Sequence, residues 1–202
     1  MRVLVGCEEN GKVRDAFAAL GHDAWSCDLL PTRRPGQHLK MDIYHALIKH
    51  GPWDIVILHP LCKCSTVAGN GTYGRGKPKH REGLDAIEWT VGLWNLGKSV
   101  ARIGAGLENP IGVLPKKRMG KPTYIHPWQF GHPEQKKTCL WLDRLPPLVE
   151  TNNVYDYMMT LPPKERERVW RMPPGPDRER LRSETFDGWA EAMADQWGRV
   201  FE

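Results

Sequence analysis

Residues 54–58 read Asp-Ile-Val-Ile-Leu, and His59-Pro60-Leu61-Cys62-Lys63-Cys64-Ser65 follow without a break. An unbroken run of β-branched and aliphatic side chains this short predicts a strand covered on both faces, as in the middle of a parallel sheet. The residues just past such a strand lie at its carboxyl end, where open α/β sheets hold their ligands. Upstream, Val3-Leu4-Val5 predicts a first strand that turns at Gly6, and a helix spans about residues 11–20, ended by Gly21-His22. Residues 24–27 predict a second strand closing on Asp28, residues 40–43 a short apolar-acidic element, and residues 44–50 a helix. Downstream, residues 65–81 are polar and glycine-rich, which predicts a long loop. A helix over about 82–101, strands over 103–107 and 138–142, and helices near 164–171 and 188–199 complete the pattern. Strands alternating with helices give the fold class: α/β, a doubly wound, mostly parallel sheet.

The chain has 202 residues, 40% of them hydrophobic, which suits a single domain over 1–202 with a proline-rich insertion at about 143–182. Five scattered cysteines, an odd number, point to reduced thiols and a cytoplasmic setting. No apolar run approaches the roughly 20 residues that span a membrane, and the N-terminus reads as a strand with no targeting segment ahead of it. The net charge is +5, and the basic residues cluster in 75–81, 116–118 and 164–182. That distribution fits a nucleic-acid partner, although charge runs are more often plain solvated surface. Several of the nine tryptophans stand near proline, which predicts packed loop walls.

A parallel sheet gathers the residues just past its strands: Gly6, Cys7, Glu8, Glu9, Asn10 and Gly11, then Asp28, Asp42, the Pro60 to Ser65 segment, and Glu108-Asn109-Pro110. An acidic residue at the end of a second strand suits two ribose hydroxyls; a turn or cap residue would look the same. Cys62 follows a proline at the exit of the buried strand, so it is held on a rigid loop. A cysteine thiolate attacks carbon 6 of a pyrimidine, which makes carbon 5 nucleophilic toward a methyl donor. The ring must then accept charge at nitrogen 3. Glu108, at the end of the adjacent strand, is the candidate proton donor, with an expected pKa raised by a partly apolar pocket. Taken singly, Cys62 reads as an inert thiol and Glu108 as a turn residue. Cys64 is the rival nucleophile.

These residues resemble the cytosine-5 DNA methyltransferase family. Pro60-Leu61-Cys62 is similar to the family's Pro-Pro-Cys signature, Glu108-Asn109-Pro110 to Glu-Asn-Val, and Gln135-Lys136-Lys137-Thr138-Cys139 loosely to Gln-x-Arg-x-Arg. Small phage and prophage members are also similar across Gly131-His132-Pro133-Glu134-Gln135 and Ala190-Glu191-Ala192-Met193-Ala194. The resemblance runs over most of the chain and is strongest over residues 1–142. It implies a Rossmann-like, S-adenosylmethionine-dependent methyltransferase fold. It further implies Cys62 as nucleophile, Glu108 at the cytosine ring, Lys137 holding the target base or phosphate, and Asp28 and Asp42 at the ribose and adenine of the cofactor. Leu61 replaces the second proline, lysines replace the arginines, and the first loop is poorer in glycine. The short 143–182 piece stands where the family has a recognition domain.

The expected cofactor set is therefore Gly6, Cys7, Glu8, Asn10, Gly11, Asp28, Asp42 and Pro60, holding S-adenosylmethionine. The expected nucleic-acid set is Ser65, Arg75, Lys77, Lys79, Arg81, Lys116, Lys117, Arg118 and Gln135. The implied activity is methylation of cytosine at carbon 5 in double- or single-stranded DNA, through a Cys62 adduct and with low sequence specificity. No metal, membrane or obligate protein partner is expected. Zinc on Cys62, Cys64, His59 and Cys27 lacks the paired cysteine spacing of structural sites, and Ser65 lacks a hydrolase elbow. Two other readings stay open: a catalytically silent protein of the same fold that binds nucleic acid or protein, and an enzyme acting on free pyrimidine nucleotides.

Overall fold

The computed structural model describes residues 1–175 and 177–199, so of the expected domain residues 176 and 200–202 lie outside the described residues. Seven strands, β1 (Arg2–Gly6), β2 (Asp23–Asp28), β3 (His38–Lys40), β4 (Trp53–Leu58), β5 (Ala101–Pro110), β6 (Thr123–Ile125) and β7 (Thr138–Asp143), form one sheet in the order β3-β2-β1-β4-β5-β7-β6. Neighbours from β3 to β5 are parallel, while β7 runs antiparallel to both β5 and β6. The order reverses at β1, so the crevice of this doubly wound sheet opens at the carboxyl ends of β1 and β4.

The helices are α1 (Lys12–Ala19), α2 (Ile43–Lys49), α3 (Asn70–Tyr73), α4 (His80–Val100), α5 (Lys116–Met119), α6 (Tyr155–Thr160), α7 (Pro163–Arg166), α8 (Arg168–Arg171), α9 (Arg178–Ser183) and α10 (Asp187–Gly198). The apolar runs of β1 and β4 feed two layers by strict alternation. Leu4, Val56 and Leu58 pack with Leu47 of α2 and with Val91, Leu93 and Trp94 of α4. Val3, Val5, Ile55 and Ile57 pack with Phe17 of α1 and with Trp189, Met193 and Trp197 of α10. Each such large apolar side chain contributes about 1.5–3 kcal/mol by leaving water.

The tryptophans correct the expectation of loop walls. Trp53, Trp94, Trp189 and Trp197 are among the largest fully buried side chains and belong to β4, α4 and α10. Trp197 lies against Gly106 of β5, where an added Cβ would come within 3.3 Å of the indole. The expected long loop after β4 is instead broken into a 3-10 turn at Val67–Gly69, then α3, and α4 begins already at His80. The charged helix near 164–171 is split into α7 and α8 at Glu167, and β5 is ten residues long. The proline-rich regions hide β6, α5, α6 and α9, because proline masks hydrophobic periodicity without forbidding short elements.

Arg14 ties the front of the sheet together. Its buried guanidinium donates to Ser26 Oγ and Thr32 Oγ1 (both 3.1 Å) and to the carbonyls of Arg34 (3.2 Å) and Pro35 (3.1 Å), pinning the proline- and arginine-rich loop between β2 and β3. Gly11, at φ +72° before α1, leaves that guanidinium its space.

Candidate active site

At the end of β1 the backbone turns through Cys7, a non-glycine residue in the left-handed region at φ +59°. Gly6 is demanded by packing, since a Cβ there would collide with Ile43 of α2 and Leu58 of β4. The Cys7 thiol is pushed far above its ordinary range by burial first, and then by the charges of Asp28, Cys27 and Asp42. Those four residues therefore converge on the face carrying α2. Asp28 Oδ1 accepts from Leu30 N (2.9 Å), and Asp42 Oδ1 caps α2 by accepting from Tyr44 N (2.9 Å) and His45 N (3.4 Å). Each thus has the turn or cap role that its sequence position also allowed, with one carboxylate oxygen uncommitted among the described residues. Beside Asp28, Leu29 and Leu30 are 69% and 55% exposed, an apolar surface at the mouth of the crevice. Two carboxylates, a left-handed turn and exposed leucines fit the hydroxyls and flat ring of a nucleoside cofactor.

Glu8 and Asn10 depart from their expected cofactor role. Glu8 is buried, and its two oxygens accept from Val13 N (2.8 Å) and Arg14 N (3.3 Å), while Asn10 Oδ1 accepts from Lys12 N (2.9 Å). Both serve the unsatisfied N–H groups that open α1. Burial raises the Glu8 carboxyl above its ordinary range, against the lowering influences of His59, the two α1 amides and Arg14. Pro60 is also turned inward, its carbonyl accepting from Asn109 Nδ2 (3.2 Å).

The same alternation that sends Ile55 and Ile57 toward α1 and α10 brings His59 to that face, and Gly106 is followed there by Glu108. His59 Nδ1 and Glu108 Oε2 are 3.4 Å apart, with side chains only 10% and 14% exposed. His59 Nε2 and Glu108 Oε1 are both buried and, among the described residues, have no hydrogen-bond partner. Native interiors rarely leave such groups unpaired, so the two together are a candidate place for a ligand.

Glu108 corrects the expected proton donor. Burial raises its pKa, but the hydrogen bond from His59, the Lys136 charge and the His59 charge together outweigh that, and the carboxyl is held below its ordinary range. It rests as a carboxylate. Cys62 is shifted the other way: burial and the Glu108 carboxylate raise it, against Lys136, its own backbone N–H and Arg182. It rests as a thiol.

Asn109 fixes the loop carrying that thiol. Ser65 Oγ donates to Asn109 Oδ1 (2.9 Å), Asn109 Nδ2 reaches Pro60 on the other side of Cys62, and Ser65 N and Thr66 N donate to the Cys62 carbonyl (3.0 and 3.1 Å). Ser65 was an expected nucleic-acid contact; at 2% exposure and fully engaged with this clamp it is unavailable to one.

Lys137 is likewise displaced from its expected role, by one residue. Its ammonium lies 4.3 Å from the centre of the Tyr124 ring, on an exposed side chain. Thr138 and Leu140 alternate with Cys139 and Trp141, so Lys136 shares the Glu108 face and Lys137 does not. Lys136 Nζ donates to the Arg182 carbonyl (3.1 Å), lies over Phe186 and Trp189, and its charge reaches both Glu108 and Cys62. His59, Lys136, Asn109 and Arg182 are thus the members that the linear sequence did not single out for this chemistry. His59 was discernible by counting in twos along β4.

Of the remaining basic residues, Arg75, Lys77, Lys79, Arg81, Lys116 and Lys117 are exposed, as is Gln135. Lys79 pairs with Glu82 (3.3 Å) and Arg81 with Asp85 (3.0 Å) at the surface. Arg118 is already engaged by both oxygens of Glu88 on α4, which weakens its case as a phosphate contact. Among the described residues no group of three or more His, Cys, Asp or Glu could hold a metal ion, and no helix is long and apolar enough to cross a membrane.

No protein-family model and no curated protein sequence matches the chain. Solved structures do. A methyltransferase of Entamoeba histolytica, EhMeth, is similar over 76% of this chain and 57% of its own length, at 11% identity and a TM-score of 0.51. A protein described as a DNA modification methyltransferase encoded within an E. coli prophage is similar over 70% of this chain and 46% of its own, at 12% identity and TM-score 0.47. The S. pombe Dnmt2 methyltransferase is similar over 100% of this chain and 67% of its own, at 14% identity and TM-score 0.47. The chain spans about half the length of the first two. The EhMeth likeness and the sheet order give the fold: Rossmann-like, of the kind seen in methyltransferases.

Proposed function

We propose that this chain methylates cytosine at carbon 5 in DNA, through a transient bond between Cys62 Sγ and carbon 6 of the base. The observation that carries the reading is a pair of buried atoms, Glu108 Oε1 and His59 Nε2, without a partner among the described residues, where the Glu108 charge also reaches the thiol of a clamped loop. A carboxylate in that position accepts a hydrogen from the exocyclic amine of cytosine, a donor that uracil and thymine lack. Lys136 keeps Glu108 ionised and remains near the sulfur as a counter-charge when the thiol gives up its proton. Asn109 and Ser65 hold the loop so that the attack is presented from a fixed position. The cofactor would lie against Cys7, Asp28 and Asp42, and when bound it supplies the methyl group. All five cysteines are free thiols, which supports a reducing, cytoplasmic setting.

The substrate base must leave the duplex, or come from a single strand, before a thiol reaches carbon 6. The exposed cations Arg75, Lys77, Lys79 and Arg81 follow the nucleophile loop, with Lys116 and Lys117 beyond β5. Phosphate contacts of this kind position a protein without reading sequence, and the short 143–182 insertion stands in for a recognition domain within a single unit. Replacing Lys77, Lys79 and Arg81 together by alanine is expected to weaken binding to all DNA sequences alike. Each phosphate left without its cation should also flatten the slope of log K against log salt by about 0.9 on duplex DNA. Unchanged affinity in a filter-binding or anisotropy titration would make the loop plain surface and favour a free nucleotide substrate.

Mass spectrometry of nucleosides from DNA incubated with the protein and S-adenosylmethionine tests the reading. 5-Methyldeoxycytidine is expected. Methylation confined to adenine, or to the exocyclic amine of cytosine, would reject it.

A further inference from the structure

The outer edge of the sheet carries a row of rings. β6 is its last strand, and alternation sends Ile125 into the core while Tyr124 and His126 share the other face. His126 continues the extended backbone, at φ −130° and ψ 146°. Its ring lies 5.1 Å from Trp128, and Trp128 lies 5.0 Å from Tyr155 at the start of α6. Lys137 ties the near end of the row together. Its ammonium is 4.3 Å from the centre of the Tyr124 ring, and its charge, after burial, holds His126 below the ordinary range. Tyr124 and Tyr155 are 40% and 42% exposed, so the row is open to a partner.

Positive charge gathers on the same edge. Between Glu108 and Asp143 the chain carries Lys116, Lys117, Arg118, Lys121, Lys136 and Lys137 against the single carboxylate of Glu134. Glu134 is buried and already accepts from Val169 N (2.6 Å) and Arg168 Nη2 (2.8 Å). Arg118 is taken up by Glu88 and Lys136 is turned to the Arg182 carbonyl, while Lys116, Lys117, Lys121 and Lys137 are exposed. The Cys139 thiol, opposite Tyr124 in register, is raised by burial and by Glu108 and lowered by Lys137 and Lys116, so both of those lysines border the row.

We propose that this edge is a platform for single-stranded DNA leading away from the target cytosine. The inference deepens the reading above and rests on it for DNA as the partner. Half-exposed rings offer flat faces to bases, and the lysines beside them take phosphates. A duplex keeps its base faces stacked within itself, so only an unpaired strand can use both. The position suits a flank of the target. Tyr124 pairs with Cys139 and Cys139 with Asn109, so the row begins two strand spacings, about 10 Å, from the residue that clamps the nucleophile loop. That is about three nucleotides of a stacked strand. Asp156 is exposed beside Tyr155, which favours phosphates at the Lys137 end of the row. Lys137 thus serves the flanking strand, not the target base.

The test is the fluorescence anisotropy of a labelled single strand of about 16 nucleotides, and of its duplex, without S-adenosylmethionine. Tyr124→Ala with Tyr155→Ala is expected to weaken single-strand binding by at least about fivefold for each ring, with duplex affinity changed by less than about twofold. Tyr124→Phe with Tyr155→Phe keeps both rings and is expected to bind as wild type does. Lys121→Ala with Lys137→Ala should flatten the slope of log K against log salt on the single strand by about 0.7 for each phosphate left without its cation. An unaffected alanine pair, equal losses on strand and duplex, or tighter binding of the matching RNA would overturn the platform. Should the alanine pair not fold, photocrosslinking of wild type to a strand carrying 5-iododeoxyuridine decides. Crosslinks on Tyr124, Trp128 or Tyr155 support the platform, and crosslinks only elsewhere overturn it. The two readings fail separately. Wild type that binds no single strand yet makes 5-methyldeoxycytidine in duplex DNA overturns the platform alone. Single-strand binding lost with the two rings, but with no methylated product, rejects the methylation and supports the platform.

Discussion

Cys62→Ser is expected to lower the rate of DNA methylation by at least about 10³-fold while leaving fold and DNA affinity intact. A serine hydroxyl is a far weaker nucleophile than a thiol and ionises far less readily, so the substitution removes the covalent route. It does not remove the scaffold. The loop is held by the Cys62 carbonyl, by Ser65 and by Asn109, and all of those contacts belong to groups that Cys62→Ser retains. Cys64 stands two residues on, and Cys64→Ser is expected to keep most of the activity. Initial rates of tritiated methyl transfer, with melting curves of each variant, check both statements. The reverse ranking would move the nucleophile to Cys64.

Glu108→Gln is expected to lower kcat by about 10²–10⁴-fold with a smaller change in KM, because the amide keeps the shape but carries no proton to nitrogen 3. The loss should fall on kcat, since the proton is needed as the ring takes up charge in the transition state. The pH dependence has a definite sign. Glu108 is held below its ordinary range, so its contribution to stability is present above the ordinary carboxylate range and is lost as pH falls through the depressed value. Glu8 is held above its ordinary range, so its contribution is present below the ordinary carboxylate range and is lost as pH rises through the raised value. Melting curves of Glu108→Gln and wild type should therefore converge at acid pH. If the variant retains wild-type kcat, the carboxyl has no part in protonating the ring.

The parallel core of the fold was legible because β1 and β4 carry uninterrupted apolar runs, and a strand covered on both faces can read no other way. β7 was visible as a strand, but its direction was not, since local sequence does not encode the sense of pairing. That is also why Lys137 was expected where Lys136 stands: only register decides which of two adjacent lysines shares a face with Glu108. The appended segment was harder, because prolines break its periodicity into helical pieces of four to six residues. At the site, the gathering of Cys62 and Glu108 was legible as position, since the one follows β4 and the other lies late in its parallel neighbour β5. Their protonation was not legible. Glu108 looked like a carboxyl in an apolar pocket until His59 and Lys136 were placed beside it, and Cys62 looked like a ready thiolate until burial and Glu108 were counted.

The central claim is a bond between one particular sulfur and carbon 6 of cytosine. It is tested most directly by trapping wild type on an oligonucleotide carrying 5-fluoro-2′-deoxycytidine, digesting the complex and mapping the modified peptide by mass spectrometry. The account predicts a nucleotide on the peptide containing Cys62, attached at Cys62 and absent from Cys62→Ser. Attachment at Cys64 or another cysteine, or methylated DNA with no covalent intermediate, would contradict it.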